Sequence, residues 1–197
     1  MTMISWHYTP GLQLAAAGMG IGPIILSRKI ATSIKDIGRR ERPAVWFSDD
    51  QEWERTAAEA QVRRSDGTVI KGPTAEKQAV YGQGLYRFGL PREMLLPYPG
   101  CCRDLGISLE RRKSMNVAAR RVGAVPTQWR AIDRDVPLDE PGLTFGYWLD
   151  GGWKEAPVTD IEDVVVMCSE LLYPLTLAAM QDHGGNAISL QSMSQSG

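Results

Sequence analysis

The sequence predicts a mixed α+β fold in one domain. Strand-like segments are short and come from distant parts of the chain, which favours an α+β arrangement over regular βαβ winding. A carboxy-terminal segment, residues 161–180, repeats its apolar residues at helical spacing. Because the 197 residues contain no strong linker, we expect a single domain over residues 1–185, followed by a flexible Ser/Gln-rich tail over residues 186–197.

Several segments carry strand patterns. Residues 4–9 alternate, so that the aromatic residues share one face and His7 lies on the other. β-Branched and aromatic residues bounded by turn residues predict further strands at 44–48, 85–90 and 127–133, and a hairpin at 145–156 closed by Asp150-Gly151-Gly152. Trp148 and Trp153 are expected to pack across this hairpin.

Two longer helices are predicted around the sheet. Ser108 caps one helix, which ends at Gly123 and turns its basic side toward solvent. In the carboxy-terminal helix, Thr159 and Glu162 have the spacing of a capping box. Pro174 should kink this helix rather than end it, because the apolar pattern continues beyond the proline.

The glycine-rich segment 18–22 is interpreted as the end of a short helix over residues 13–19. It has the glycine density of a phosphate loop but lacks the Lys-Ser/Thr pair and the preceding apolar strand. Pro23 should prevent the helix from continuing. The chain contains no Walker loop, no GxGxxG and no GxSxG, so the sequence signatures of these enzyme classes are missing.

The charge balance indicates no strongly charged partner. There are 22 basic and 23 acidic residues, and the resulting net charge of −1 produces no global field toward nucleic acid or an anionic membrane. Apolar runs are shorter than the roughly 18–20 residues that cross a bilayer, and the amino terminus lacks a secretory signal pattern. We therefore expect a soluble, cytoplasmic protein with no membrane partner.

The three cysteines predict neither a disulfide framework nor a metal site. Their number is odd, and Cys101 and Cys102 are adjacent, which makes a bridge between them difficult. Because the chain has no CxxC and no histidine at ligand spacing, no metal is expected. The Cys101-Cys102 pair follows Pro99-Gly100 and is a candidate for a reactive thiol.

Three motifs occur in an order that resembles the ADP-ribosyltransferase superfamily. WHYT at 6–9, followed by GMGIGP at 18–23, is similar to the first family motif, a strand histidine with Ser/Thr before a helix and a glycine-proline exit. AVWFSD at 44–49 resembles the second motif, and TQWRAIDRDVPL at 127–138 resembles the third. The resemblance implies a split mixed or antiparallel β-sheet core with peripheral helices and a carboxy-terminal helix.

The resemblance also implies a cleft that binds NAD⁺ as a substrate. By position, His7 and Thr9 would hold the dinucleotide, while Trp46, followed by Ser48, would stack on nicotinamide. Trp53 is the nearest aromatic that would close the sandwich. Gln128 takes the place of the third-motif residue, which stabilises the oxocarbenium-like state as nicotinamide leaves.

The function implied is that of a mono-ADP-ribosyltransferase, a glycosyltransferase-type enzyme that modifies a protein or nucleic-acid target. Gln128 and His7 are then the candidate catalytic residues, and because glutamine supplies no charge, a weak catalyst is expected. Glu155 is a reserve candidate for the missing acid.

The alternative is a catalytically weak or inactive module that acts by binding a macromolecule. The carboxy-terminal helix would then present Val166, Met167 and Tyr173 to a partner. A more distant alternative is a nucleic-acid-processing phosphotransferase of related type, for which Arg130 is a candidate cleft arginine.

Overall fold

A seven-stranded antiparallel sheet forms the centre of the protein, which is described here from a computed structural model. The structure describes residues 2–11, 20–32, 40–56, 62–63, 69–70, 79–80 and 84–182. The described strands are β1 Ile4–Pro10, β2 Lys29–Ile30, β3 Val45–Ser48, β4 Val62–Arg63, β5 Val69–Ile70, β6 Leu85–Pro91, β7 Leu96–Pro97, β8 Trp129–Ile132, β9 Val136–Pro137, β10 Thr144–Leu149 and β11 Gly152–Ala156. The central sheet has the order β11-β10-β6-β1-β3-β8-β7, and each neighbouring pair is antiparallel.

Four helices lie within the described residues: α1 Ile21–Ser27, α2 Gly100–Asp104, α3 Leu109–Val122 and α4 Ile161–Asp182. The prediction of a mixed α+β fold is therefore confirmed. The short pairs β2–β9 and β4–β5 lie outside the central sheet. In the part of the chain that the structure describes, no helix combines the length and the apolar character needed to cross a bilayer.

The predicted caps of α3 are confirmed. The Ser108 side chain accepts a hydrogen bond from the Arg111 backbone N–H, and Gly123 ends the helix in the left-handed conformation with φ 76°. The predicted hairpin is also present, because Trp148 pairs with Trp153 across the Asp150-Gly151 turn and the two rings meet edge to face.

Two helix predictions need correction. Pro23 does not stop a helix: α1 starts at Ile21 and contains Pro23 in its first turn, where a missing N–H costs no helical hydrogen bond. The expected helix at 13–19 lies outside the described residues. Thr159 lies in the 3₁₀ turn Val158–Asp160 and bonds the Asp160 carboxylate, so it does not cap α4.

The carboxy-terminal helix covers one face of the sheet. α4 contributes Ile161, Val165, Cys168 and Leu172 to a core that also contains Phe88 and other buried residues of β6. Pro174 lies inside this helix, as predicted. The expected tail at 186–197 lies outside the described residues, and the extent of the domain stays a prediction.

A smaller core lies beside β3 and β8. There, Cys101 and Cys102 of α2 and Ala119 of α3 pack with Trp129 and Ala131 of β8. The two cores are built on opposite faces of β8, since Trp129 and Ala131 alternate with Ile132, which belongs to the larger core.

Candidate functional site

Strand β1 has very unequal junctions with its two neighbours. It pairs with β6 along its whole length, from Ile4 opposite Pro91 to Pro10 opposite Leu85. With β3 it shares one paired position, Trp6 opposite Ser48. The central sheet is therefore open between β1 and β3, and we call this region the β1–β3 junction.

Side-chain hydrogen bonds replace the missing backbone ladder at the β1–β3 junction. Four consecutive β1 side chains contact β3 or the segment after it. Ser5 Oγ donates to Asp49 Oδ1 at 2.6 Å, and Trp6 Nε1 donates to Gln51 Oε1 at 2.9 Å. His7 Nδ1 lies 2.9 Å from the Trp46 carbonyl oxygen, and Tyr8 Oη donates to the Asp50 carbonyl at 2.5 Å. Because side chains are longer than a ladder bond, they hold the strands while leaving space between them.

That space is a cavity of about 340 Å³. Its lining comes mainly from β1, β3, β8 and the segment after β3, with single residues beside β2 and β3 and on α3. The lining residues are Trp6, His7, Tyr8, Ala31, Ala44, Val45, Trp46, Phe47, Ser48, Glu54, Thr56, Met115 and Trp129. Its volume lies within the range of roughly 300–1,000 Å³ typical of small-molecule sites. The lining is largely apolar and aromatic, with a few polar groups among them, as is usual in such sites.

His7 is held as a neutral hydrogen-bond acceptor toward the cavity. A carbonyl oxygen only accepts, so its bond with Trp46 places the proton on Nδ1 and leaves the lone pair on Nε2. Burial lowers the pKa of His7 below its usual 6.5, and the bond to the Trp46 carbonyl offsets part of that effect. Nε2 makes no hydrogen bond with the described residues, which leaves it available to a hydroxyl donor.

Two indoles line the cavity from neighbouring strands. Trp46 is partly buried on β3, and Trp129 is buried on β8, where it pairs with Ser48 in register. Trp129 packs edge-on against Tyr98, which fixes its orientation from the side of the smaller core. Flat indole surfaces of this kind bind planar rings by stacking.

An acidic residue that sequence reasoning missed also lines the cavity. Glu54 is 6% exposed, and its carboxylate accepts hydrogen bonds from Ser48 Oγ at 2.7 Å and from Thr56 Oγ1 at 2.7 Å and Thr56 N at 3.1 Å. Glu54 lies in a segment, residues 51–56, that has no helical assignment. In the sequence, the feature that could have indicated this residue is a glutamate six residues after Ser48 and next to the aromatic Trp53.

The structure brings together His7, Trp46 and Ser48 of the predicted site residues. The other three are described but lie outside the cavity lining. Thr9 is buried on β1, Trp53 stacks on Trp153 with ring centroids 6.5 Å apart, and Gln128 ends a 3₁₀ turn, where its carbonyl accepts from Asp49 N. The next residue, Trp129, lines the cavity where Gln128 was predicted to do so. Nothing in the structure tests the predicted role of Gln128.

Arg130 is engaged in an ion pair and is not directed at a ligand. Its guanidinium makes two-pronged hydrogen bonds with Asp49 at 2.7–3.0 Å, and both side chains are at most 10% exposed. Burial opposes ionisation of Asp49, but the bonds from Arg130 and Ser5 hold its pKa below the usual value. The pair therefore stabilises the end of the β1–β3 junction and gives no support to a phosphotransferase site.

The remaining candidate residues, Cys101, Cys102 and Glu155, lie outside the cavity lining. Cys101 and Cys102 are each 1% exposed, and burial raises the pKa of Cys101 to about 12 and that of Cys102 in the same direction. Such thiols are poor nucleophiles because little thiolate is present. Glu155 is exposed on β11 and lines a separate surface pocket. The described residues contain no group of three or more potential metal ligands.

Comparisons with known proteins give no family for this chain. It matches no protein-family model, no curated protein and no solved structure. Its function must therefore be argued from the β1–β3 junction itself.

Proposed function

We propose that this protein binds NAD⁺ in the β1–β3 cavity and acts as a mono-ADP-ribosyltransferase on a protein or nucleic-acid target. The observation that carries the proposal is that His7 of the first motif and Trp46 and Ser48 of the second motif line one cavity. The open junction in an antiparallel sheet supports assignment to an ADP-ribosyltransferase-type split sheet.

The groups on the cavity wall suit the parts of a nicotinamide riboside. The indoles of Trp46 and Trp129 offer planar surfaces for the nicotinamide ring. Nε2 of neutral His7, to which no described residue donates a hydrogen bond, would accept from a ribose hydroxyl, and Ser48, whose hydroxyl donates to Glu54, lines the same cavity. Together they would hold the glycosidic bond inside a partly dry cavity, where electrostatic stabilisation is stronger than in water.

The proposal is tested with NAD⁺ labelled on its adenylate half. Wild-type protein should release nicotinamide and pass the label to water or to an added acceptor, and His7→Ala should release at least about tenfold less because a ribose contact is lost. Ser114→Ala, a substitution on the exposed side of α3, is the control and should match the wild type. Binding without any release would remove the transferase assignment.

Gln128 as a catalytic residue stays a prediction and is tested in the same assay. Gln128→Glu should raise nicotinamide release if this side chain reaches the ribose during turnover, and Gln128→Ala should lower it. Unchanged release in both variants would assign no role to Gln128, which agrees with its position outside the cavity lining.

A second candidate is a module that binds a macromolecule without catalysis. It is favoured by apolar residues on α4 that are more than half exposed: Val166, Leu171, Tyr173 and Leu175. Met167, which the sequence analysis added to this surface, instead packs against the larger core. Absence of NAD⁺ binding, together with association of the chain with a macromolecule that is lost in Tyr173→Ser, would favour this function.

A further inference from the structure

Glu54 is a buried carboxylate that forms no ion pair with the described residues, whereas Asp49 pairs with Arg130. Asp49 and Arg130, which are similarly buried, neutralise each other. Among the described residues, no lysine or arginine forms an ion pair with Glu54, whose hydrogen bonds come from Ser48 and Thr56. The described hydrogen-bond donors to this carboxylate are therefore neutral groups, and the carboxylate lies in a buried region where electrostatic interactions are stronger than in water.

Glu54 belongs to the wall of the β1–β3 cavity. Glu54 lines the same space as Trp46 and His7, and among the described lining residues it is the one with an acidic side chain. A carboxylate oxygen can accept more than the hydrogen bonds that Glu54 receives here, so it has capacity left for a ligand hydroxyl. The charge also attracts a cation at short range more strongly than it would in water.

We propose that Glu54 supplies the negative charge of the cavity, that it selects the cationic nicotinamide end of NAD⁺, and that it stabilises the transition state of glycosidic cleavage. This inference rests on the proposed function and deepens it. In the reaction, the bond between C1′ of the ribose and N1 of nicotinamide breaks, and its electron pair leaves with neutral nicotinamide. Positive charge develops on the ribose beside Glu54, and the acceptor then forms its bond to C1′ and loses a proton.

The positions of Ser48 and Thr56 explain how Glu54 is held for this role. Ser48 lies on β3, at the paired position of the β1–β3 junction, and donates to one carboxylate oxygen. Thr56 donates to the other oxygen through both its hydroxyl and its backbone N–H. The carboxylate is therefore fixed before a ligand arrives, which is the arrangement that makes electrostatic stabilisation effective.

The test compares binding of NAD⁺ and NADH, whose reduced nicotinamide ring is uncharged, by titration calorimetry. Wild-type protein should bind NAD⁺ at least about tenfold more tightly than NADH, and Glu54→Gln should reduce this preference to about twofold or less while retaining dinucleotide binding. Ser114→Ala, on the exposed side of α3 and outside the cavity lining, is the control and should retain the preference. Glu54→Gln should also lower nicotinamide release about 100-fold or more, as expected for loss of a transition-state electrostatic contact.

The possible failures are distinguishable. Equal affinity of the wild type for NAD⁺ and NADH, or a preference that persists in Glu54→Gln, would overturn the role of Glu54 and leave the NAD⁺ cavity standing. No binding of either dinucleotide by the wild type would overturn the proposed function and this inference together. The fold of Glu54→Gln is checked by its unfolding midpoint, since the amide matches the carboxylate in size and retains an acceptor for Thr56 N.

Discussion

The two sides of strand β1 are built in different ways. Toward β6 the strand is joined by a continuous ladder, and Gly89 of β6 lets the Trp6 ring lie close to the backbone. Toward β3 it has one paired position and four side-chain hydrogen bonds. The first side is made for close packing, and the second holds the sheet together while leaving a cavity inside it. The cavity is thus formed without interrupting the strand order.

The stability of the open junction therefore depends on its side chains, and we propose that ligand binding depends on them as well. A ladder hydrogen bond requires nothing of the side chains, whereas the β1–β3 junction depends on the identity of Ser5, His7 and Asp49. Substitutions that affect one junction but not the other test this difference directly.

The largest effect is expected for Arg130→Met. The substitution removes the two-pronged partner of Asp49 and leaves it with Ser5 and with Arg92, whose Nε lies 3.3 Å from Asp49 Oδ2. The loss should therefore be about 3 kcal/mol, the lower end of the range of about 3–5 kcal/mol for breaking a buried ion pair. Arg134→Met is the matched control, because it removes a similar two-pronged pair with Glu140 from an arginine side chain that is 45% exposed. It should cost less than about 1 kcal/mol. Urea unfolding measures both, and equal losses would contradict the role given to Asp49–Arg130.

A smaller loss is expected for Gly89→Ala on the laddered side. A Cβ atom at this position would overlap Ile4 and lie 2.6 Å from Thr144 Oγ1 and 2.7 Å from Trp6 Cζ3, so neighbouring groups must shift. Overpacking of this kind costs about 1–3 kcal/mol. In Gly152→Ala the new methyl group would meet open space, and the free energy of unfolding should change by no more than about 0.5 kcal/mol. If Gly89→Ala is as harmless as the control, the β1–β6 junction is not close-packed.

The smallest effect concerns the pH dependence of stability at the open junction. Because burial lowers the pKa of His7 below 6.5, the folded state binds this proton less readily than the unfolded state. Its contribution is therefore complete above about pH 6.5 and is lost as the pH falls from there through the lowered folded pKa. The difference in unfolding free energy between wild type and His7→Gln should change by at most about 1.4 kcal/mol per pH unit. A difference that is flat from pH 8 to 5 would show that His7 is not desolvated.

Local patterns in the sequence were sufficient to predict most elements but not the complete site. Alternation predicted β1, and Ser108 and Gly123 predicted the ends of α3, because these signals act within a few residues. The helix start at Ile21 does not follow from these signals. Pro23 suggests a helix end, but the first turn of a helix tolerates proline.

The lining of the cavity could be predicted only where it lies on strands with a clear local pattern. His7, Trp46 and Ser48 were named because each belongs to a strand with a recognisable pattern. Glu54 was missed because it lies in an irregular segment, and its burial depends on contacts with Ser48 and Thr56 that no local pattern reveals. Trp53 was assigned to the cavity from its position in the chain, but it packs between Tyr8 and Trp153 outside the lining.

The central claim is that NAD⁺ binds in the β1–β3 junction. The most direct test is the stabilisation of each variant by NAD⁺, measured relative to the same variant without ligand. At 100 times its dissociation constant, NAD⁺ should stabilise the wild type and the Ser114→Ala control by about 2.7 kcal/mol, and the gain should be largely lost in Trp46→Ala at that concentration. No stabilisation of the wild type, or equal stabilisation of Trp46→Ala, would contradict the claim.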